Sequence, residues 1–407
     1  MRTQIGQLTF CTNIFPGETW EDHFTALKGS IPSIKQHLSP EKPFGIGLRL
    51  SNKASLQLSK VKAFREFREW LSRLGCYVFT INGFPYGNFH HAKVKDQVHA
   101  PDWTTYERLQ YTLRLFKILA ELLPIDMTGG ISTSPLSYKY WWDNGEATTD
   151  ITDKCTRNVI QVAKQLYRIH SRTGKLLHLD IEPEADGILE NANEFIAWYL
   201  HRLLPLGIPI LQNDLHLSHE EAEKAIRKHI QLCYDVCHFA VEFEDSSKVL
   251  KRLKDSGISI GKLQLSSALK INIPISTQRR KDTFNELRKF NEPTYLHQVV
   301  ARKNDGQFLH YPDLSEALKD TKASYATEWR SHFHVPLFIK EYGLLGSTQK
   351  EIIQALRIQA KEKFTDNMEI ETYTWDVLPD KLKLPMVESI IREMKWVMNQ
   401  IRQLCKT

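Results

Sequence analysis

Residues 176–184 read LLHLDIEPE. Leu177, Leu179 and Ile181 alternate with His178, Asp180 and Glu182. A period of two marks a β-strand whose faces meet different surroundings. Helical patterns lie on either side, at 151–173 and 191–204, with apolar residues at i, i+3 and i+4. A strand between two such helices is covered by a helix layer on one face. Its polar parity must then point into a confined interior rather than to open solvent.

Working outward, the same alternation of short strand and longer helix runs through the chain. Further strands are predicted at 7–14, 44–51, 77–82, 125–133, 230–237, 262–266 and 368–373. The remaining helices are predicted at 20–38, 56–74, 102–123, 219–228, 247–256, 347–363 and 386–403. Eight strands, each followed by helix, predict an α/β fold of the TIM (β/α)8 barrel type rather than an open doubly wound sheet. One extra strand is expected at 332–337. The interval from about 270 to 331 fits no strand–helix unit. It is expected to be an excursion from the barrel top between strand 7 and helix 7, within a single domain of 1–407.

Composition narrows the class. The 407 residues are 42% hydrophobic and 25% charged, with 19 Gly and 17 Pro, which excludes a disordered, collagen-like or low-complexity chain. Six scattered cysteines form no disulfide framework and read as reduced thiols of a cytoplasmic protein. The net charge of +6, from 54 basic and 48 acidic residues, is gathered in no Lys/Arg run, so a nucleic-acid partner is not favoured. No apolar run reaches the ~18 residues of a membrane span, and MRTQIGQLTF lacks the apolar stretch of a signal peptide.

Strand parity also gathers chemistry. Glu369, Glu371 and Tyr373 share one face of the last strand, Gln231, Cys233 and Asp235 one face of another, and Lys262, Gln264 and Ser266 one face of a third. Arg49 alternates with Leu48 and Leu50, and His332 and His334 with Phe333 and Val335. Buried carboxylates and imidazoles cost several kcal/mol each unless they are paired or bound to a cation. Such barrels hold their chemistry at the C-terminal strand ends, and Glu182, Asp235, His334 and Glu371 each fall near one. Two or three carboxylates with one imidazole suit Mn²⁺, Mg²⁺, Co²⁺ or Zn²⁺. The competing reading, a structural hydrogen-bond network, weighs about equally for any one residue. It weighs less for all four together, since stability alone favours apolar barrel layers. The loop NGFPYGNFHH (82–91) offers Asn82, Phe84 and Tyr86 as walls of a substrate lid, or a rigid packed loop. Adjacent His90 and His91 are poor joint ligands. Cys233-x₃-Cys237-His238 lacks the second pair that a structural zinc site needs.

Several stretches carry a resemblance: LTFCTNIFPGETW (8–20), YVFTINGFPYGNFH (77–90), HLDIEPE (178–184), CYDVCHFAVEFED (233–245), KLQLSSAL (262–269), HFHVPLF (332–338) and ETYTWDVLP (371–379). Together they resemble the xylose isomerase-like TIM-barrel superfamily and, within it, the metabolite traffic protein EboE family. The superfamily's ketose 3-epimerases use a Glu, Asp, His, Glu metal set. The resemblance therefore implies Glu182, Asp235 and Glu371 as ligands, with Asp235-x-x-His238 as its Asp-x-x-His. The strand-7 ligand is Gln264 by strand order, or His334 of the His332-x-His334 pair by pattern. Glu182 and Glu371 would exchange protons beside a substrate carbonyl, and His238 would hold a substrate oxygen. Arg49, Gln264 and His332 would line the substrate. Phe15 stands where a histidine is expected after Asn13-Ile14. The implied function is divalent-metal-dependent isomerase or epimerase chemistry on a small metabolite in a secondary-metabolite traffic pathway, with membrane-associated partners. The alternatives are a non-catalytic metabolite carrier and an endonuclease IV-like phosphodiesterase; sparse histidines on strands 2 to 4 argue against the latter.

Overall fold

The computed structural model describes residues 1–87, 95–142, 149–320, 323, 325–375 and 383–406. Its centre is a ring of eight parallel strands: β1 (Gly6–Phe10), β2 (Phe44–Arg49), β3 (Cys76–Asn82), β4 (Thr128–Thr133), β5 (Leu176–Ile181), β6 (Ile230–Asp235), β7 (Ile260–Leu265) and β8 (Asn367–Ile370). Each pairs with the next in chain order, and β8 pairs with β1. Between β1 and β2 the ladder thins to one bridge, Cys11 to Gly47. There the Thr9 hydroxyl substitutes for backbone, donating to Gly45 O at 2.8 Å and accepting from Gly47 N at 2.9 Å. The result is a nearly closed α/β barrel wrapped by helices.

The helices follow local chemistry. Trp20–Leu38 opens on a capping box between Thr19 and Asp22. Val61–Leu74 stops at Gly75, whose φ of 62° suits a residue without a side chain. The predicted 56–74 helix is two, Asn52–Leu58 and Val61–Leu74, divided at Ser59, whose hydroxyl bonds back to Ser55 O. The predicted 191–204 helix continues through a π turn, Tyr199–Leu203, into Leu204–Leu215. Pro205 and Pro209 lack the N–H groups of a regular ladder, and the wider turn precedes them.

Between β7 and the helix Gln349–Glu362 lies a six-stranded antiparallel sheet covering Leu269 to Ser347, wider than the 270–331 interval. Its order is Phe308–Tyr311, Val299–Lys303, Ala326–Ser331, Leu269–Asn272, Leu345–Ser347, Glu341–Tyr342. It has its own apolar core around Trp329, Phe284, Leu287 and Phe290. The extra strand expected at 332–337 does not form: the strand there is Ala326–Ser331, and 332–337 leaves the sheet as extended chain. Phe333, Val335 and Leu337 remain buried, so the alternation is real. The segment lacks a ladder partner because it crosses the barrel mouth, held by His332 N to Gln298 O and Val335 N to Ser267 O.

Inside the barrel the polar parity points into the lumen. In the lower layer Lys262 Nζ meets Glu369 Oε2 at 2.6 Å and Ser132 Oγ at 2.9 Å, and His178 Nδ1 meets Asp180 Oδ1 at 2.6 Å. These bulky pairs need small neighbours. A Cβ on Gly130 or Gly261 would fall about 2.0 Å and 1.9 Å from the Asp180 carboxylate. Lys262 and Glu369 are both fully buried. Lys262→Met is expected to cost about 3–5 kcal/mol by leaving a buried carboxylate unpaired. Lys262→Met/Glu369→Met should recover most of that loss, and urea unfolding of the two variants measures both.

Candidate functional site

The strand ends place the acidic groups. Asp235 is the last residue of β6 and caps the short helix Val236–Val241, its Oδ1 accepting from Cys237 N at 2.8 Å and His238 N at 3.2 Å. One helical turn brings His238 back over it, with Nε2 3.8 Å from Asp235 Oδ2. Glu182 and Glu371 each follow a strand end, and their backbone N–H groups extend the ladder to Thr133 O and Leu265 O. Carboxylate oxygens of Glu182, Asp235 and Glu371 all lie within 4.8 Å of one another, and all three residues are buried.

Gln264, from β7, sits among them. Its Nε2 donates toward Glu182 Oε1 at 3.2 Å, Asp235 Oδ2 at 2.9 Å and Glu371 Oε2. An amide nitrogen carries two hydrogens and no charge, so it neither serves three acceptors fully nor neutralises them. Glu182 Oε2 has no hydrogen-bond partner among the described residues. Burial, and then Asp235 and Glu371, push the Glu182 carboxyl well above its ordinary value; burial, Asp235 and Glu369 do the same to Glu371. An orphaned oxygen within a buried carboxylate trio fits a divalent cation with oxygen ligands.

Three imidazoles cover this trio. His238 Nδ1 faces Pro183 O at 3.0 Å, and His334 Nδ1 faces Glu371 O at 3.1 Å. His332 Nδ1 faces Gln298 Oε1 at 2.7 Å and Glu184 Oε1 at 3.1 Å. Gln298 is fixed in turn, its Nε2 donating to Ala185 O at 2.9 Å and Glu184 Oε1 at 3.2 Å. In its neutral form each ring would carry its proton on Nδ1, and the Nε2 lone pairs would then meet. His238 to His332 is 3.1 Å and His332 to His334 is 3.2 Å. Facing lone pairs repel unless a proton or metal ion lies between them. Burial lowers His332 and pushes His334 down to about 3, which disfavours the proton. Acceptors behind Nδ1 are the usual second partners of metal-binding histidines.

The residues named from sequence thus divide. Glu182, Asp235 and Glu371 form one group, and Asp235, His238 and His334 an adjoining one. His334 is brought in by the inserted segment, while Gln264 occupies the β7 position. His332 joins the imidazoles. Asn82 donates to Glu371 Oε1 at 2.9 Å, and Phe84 lines the mouth. Tyr86 packs instead on Tyr111, ring centroids 5.0 Å apart. Arg49 is buried away from the mouth cavity, donating to Gly17 O at 3.3 Å and to Gly87 O. His90 and His91, with the rest of 88–94, lie outside the described residues. Three participants were missed in the sequence. Asn13 donates to Glu371 Oε1 at 2.5 Å, Glu184 receives His332, and Gln298 orients that ring. Glu184 follows Glu182 by two and shared its parity; Gln298 left no such signal. Burial alone would raise Glu184, but the His332 hydrogen bond and the His99, His332 and His238 rings hold it well below the carboxylate range. The mouth cavity, about 60 Å³ and walled by Phe84, Tyr295 and Tyr373, has room for an ion and a few waters.

No family model matches the chain, and no curated protein matches it. Among solved structures it is similar to a xylose isomerase-like TIM barrel protein from Mycobacterium smegmatis in complex with magnesium. That likeness has a TM-score of 0.51 at 10% identity, over 98% of this chain and 97% of that chain. It is also similar to a D-tagatose 3-epimerase-like protein (TM-score 0.48, 9% identity, 98% of each chain). A third, IOLI protein with a binding zinc atom, gives a TM-score of 0.46 at 11% identity over 98% of this chain and 99% of that chain. The likeness to the first shows the fold, a xylose isomerase-like TIM barrel. No helix among the described residues is long and apolar enough to cross a membrane.

Burial and the neighbouring carboxylates raise the proton affinity of Glu182 and Glu371 above the ordinary 4.5 of the unfolded chain, so the folded protein gives up these protons at higher pH than the unfolded chain does. The folded state then binds more protons, and stability falls as pH rises through the folded values. His334 acts in the opposite sense, but only between about 3 and 6.5. From pH 6.5 upward, metal-stripped protein is expected to lose stability with rising pH. Saturating Mn²⁺ should raise Tm more near pH 8 than near pH 6.5, because at higher pH fewer protons must be displaced. Thermal melts of chelator-treated and Mn²⁺-loaded protein check this.

Proposed function

We propose that the chain is a divalent-metal-dependent enzyme of the isomerase or epimerase type, acting on a small hydroxy-carbonyl metabolite at the barrel mouth. The observation that carries this is the orphaned Glu182 Oε2, buried beside Glu371 and Asp235. Glu182, Asp235 and Glu371 would hold the cation, with His334 and His238 adjoining. When bound, the cation would polarise a substrate carbonyl and stabilise the oxygen charge that develops on loss of the neighbouring proton.

The chain's own groups do the rest. Glu182, ionised once the cation offsets the neighbouring carboxylates, would take up a proton from the carbon beside the carbonyl. Glu371 is oriented by the Asn13 and Asn82 amides and returns a proton to that carbon. His238, held at Nδ1 by Pro183 O, presents Nε2 to a substrate oxygen. Phe84, Tyr295 and Tyr373 wall the cavity and keep bulk water from the exposed carbanion. The resemblance to the EboE family supports a place in metabolite traffic alongside membrane-associated partners.

A second reading, a metabolite-binding carrier, is favoured by Gln264. Its neutral amide occupies a ligand position and contacts all three carboxylates. Deuterium exchange separates the two. A panel of ketoses and hydroxyketones in D₂O with Mn²⁺ should show label entering beside the carbonyl of at least one compound. Glu182→Gln should slow that exchange by about 10²–10⁴-fold while the far-UV circular dichroism stays native. No exchange with any compound, together with a metabolite retained through purification, would favour the carrier.

A further inference from the structure

A second cluster of ligating groups lies outside the mouth, where the inserted sheet leans on the barrel rim. Glu190 comes from the segment after β5, Glu242 directly follows the helix Val236–Val241, and His310 is on Phe308–Tyr311, the edge strand of the inserted sheet. One ligand atom from each lies within 4.8 Å of the others. His310 Nδ1 stands 3.8 Å from Glu190 Oε1 and 3.9 Å from Glu242 Oε1. Those separations are too long for hydrogen bonds. Ligands bonded to one ion at about 2.1 Å stand roughly 3.4 Å apart at the tetrahedral angle and farther at wider angles. The two separations from His310 need shorten by only a few tenths of an ångström to reach that spacing.

Two independent observations single this cluster out from ordinary surface acids. The Glu242 side chain is only 8% exposed, and its Oε1, turned toward His310, has no hydrogen-bond partner among the described residues. His310 Nδ1 is likewise without one. Charge is also unbalanced. Lys139 Nζ meets Glu190 Oε1 at 2.7 Å and Asp186 Oδ1 at 3.5 Å, and Glu190 Oε1 also accepts from Asp186 N at 2.8 Å; among the described residues the acids Asp186, Glu190 and Glu242 outnumber the cation beside them. Asp186 Oδ2 is buried and without a hydrogen-bond partner among the described residues as well. A divalent ion would offset that excess of acidic groups.

We propose that Glu190, Glu242 and His310 bind a divalent transition-metal ion that clamps the inserted sheet to the barrel rim. Two carboxylates and an imidazole with an open fourth position match Zn²⁺ or Mn²⁺. The clamp shares no ligand with the mouth and holds down the sheet from which His332 and His334 extend. Zinc content measured by plasma mass spectrometry, after dialysis of the full chain against Zn²⁺, tests it. His310→Ala is expected to lower the content by one equivalent per chain, both alone and in a Glu182→Gln/Glu371→Gln background. Glu242→Gln should do the same. Zn²⁺ should protect the 299–311 hairpin from limited proteolysis in the wild type and not in His310→Ala. His310 is on an edge strand and partly exposed, so its alanine variant folds; circular dichroism verifies this for each variant. An unchanged zinc count in either folded variant overturns the clamp, whatever the mouth variants show.

Discussion

Charge buried in a narrow lumen is the constraint on which this molecule turns. A barrel strand covered by helices has nowhere else to send its polar parity. In the lower layer the problem is solved within the protein: Lys262 with Glu369 and His178 with Asp180 lie at 2.6 Å. In the layer above, Glu182, Asp235 and Glu371 converge on a neutral amide. Paired ions of the lower kind stabilise little beyond their own desolvation. The upper layer lacks such internal pairing, and protons or a bound cation are the two ways its charge can be offset.

The inserted sheet completes that layer from above. It contributes no strand to the barrel, yet its exit at 332–337 brings two imidazoles onto His238. The acceptors behind each Nδ1 come from three places: a turn after β5, the end of β8 and the inserted sheet. Mouth and insertion are therefore one electrostatic unit, and anything that loosens the sheet displaces the rings.

Particular residues show how far pattern reading reaches. Glu182, Glu369 and Glu371 were legible because strand parity forces them inward. Asp235 was legible from strand parity and His238 only through the resemblance, because the helical turn that links them falls where the pattern read as continued strand. The choice between Gln264 and His334 for one ligand position was not legible. Both reach the same layer, one from β7 and one across the mouth, so strand order and motif pattern each described part of it. The alternation at 332–337 imitated a strand because an extended segment buried on one side alternates whether or not a neighbour pairs with it. Arg49 and Tyr86 alternate or line up as wall residues would, yet their partners, Gly17 O, Gly87 O and Tyr111, lie in loops and helices of separate units.

The order of strands and helices, the barrel and the inward set of carboxylates are written in local periodicity, because each strand meets the same two environments along its length. The meeting of His238 with His332, 94 residues apart, and the joining of Glu190 and Glu242 to His310 leave no local imprint. Only the docking of the inserted sheet onto the rim brings those groups within reach, since contacts between separately folded elements depend on their packing and not on the period of either.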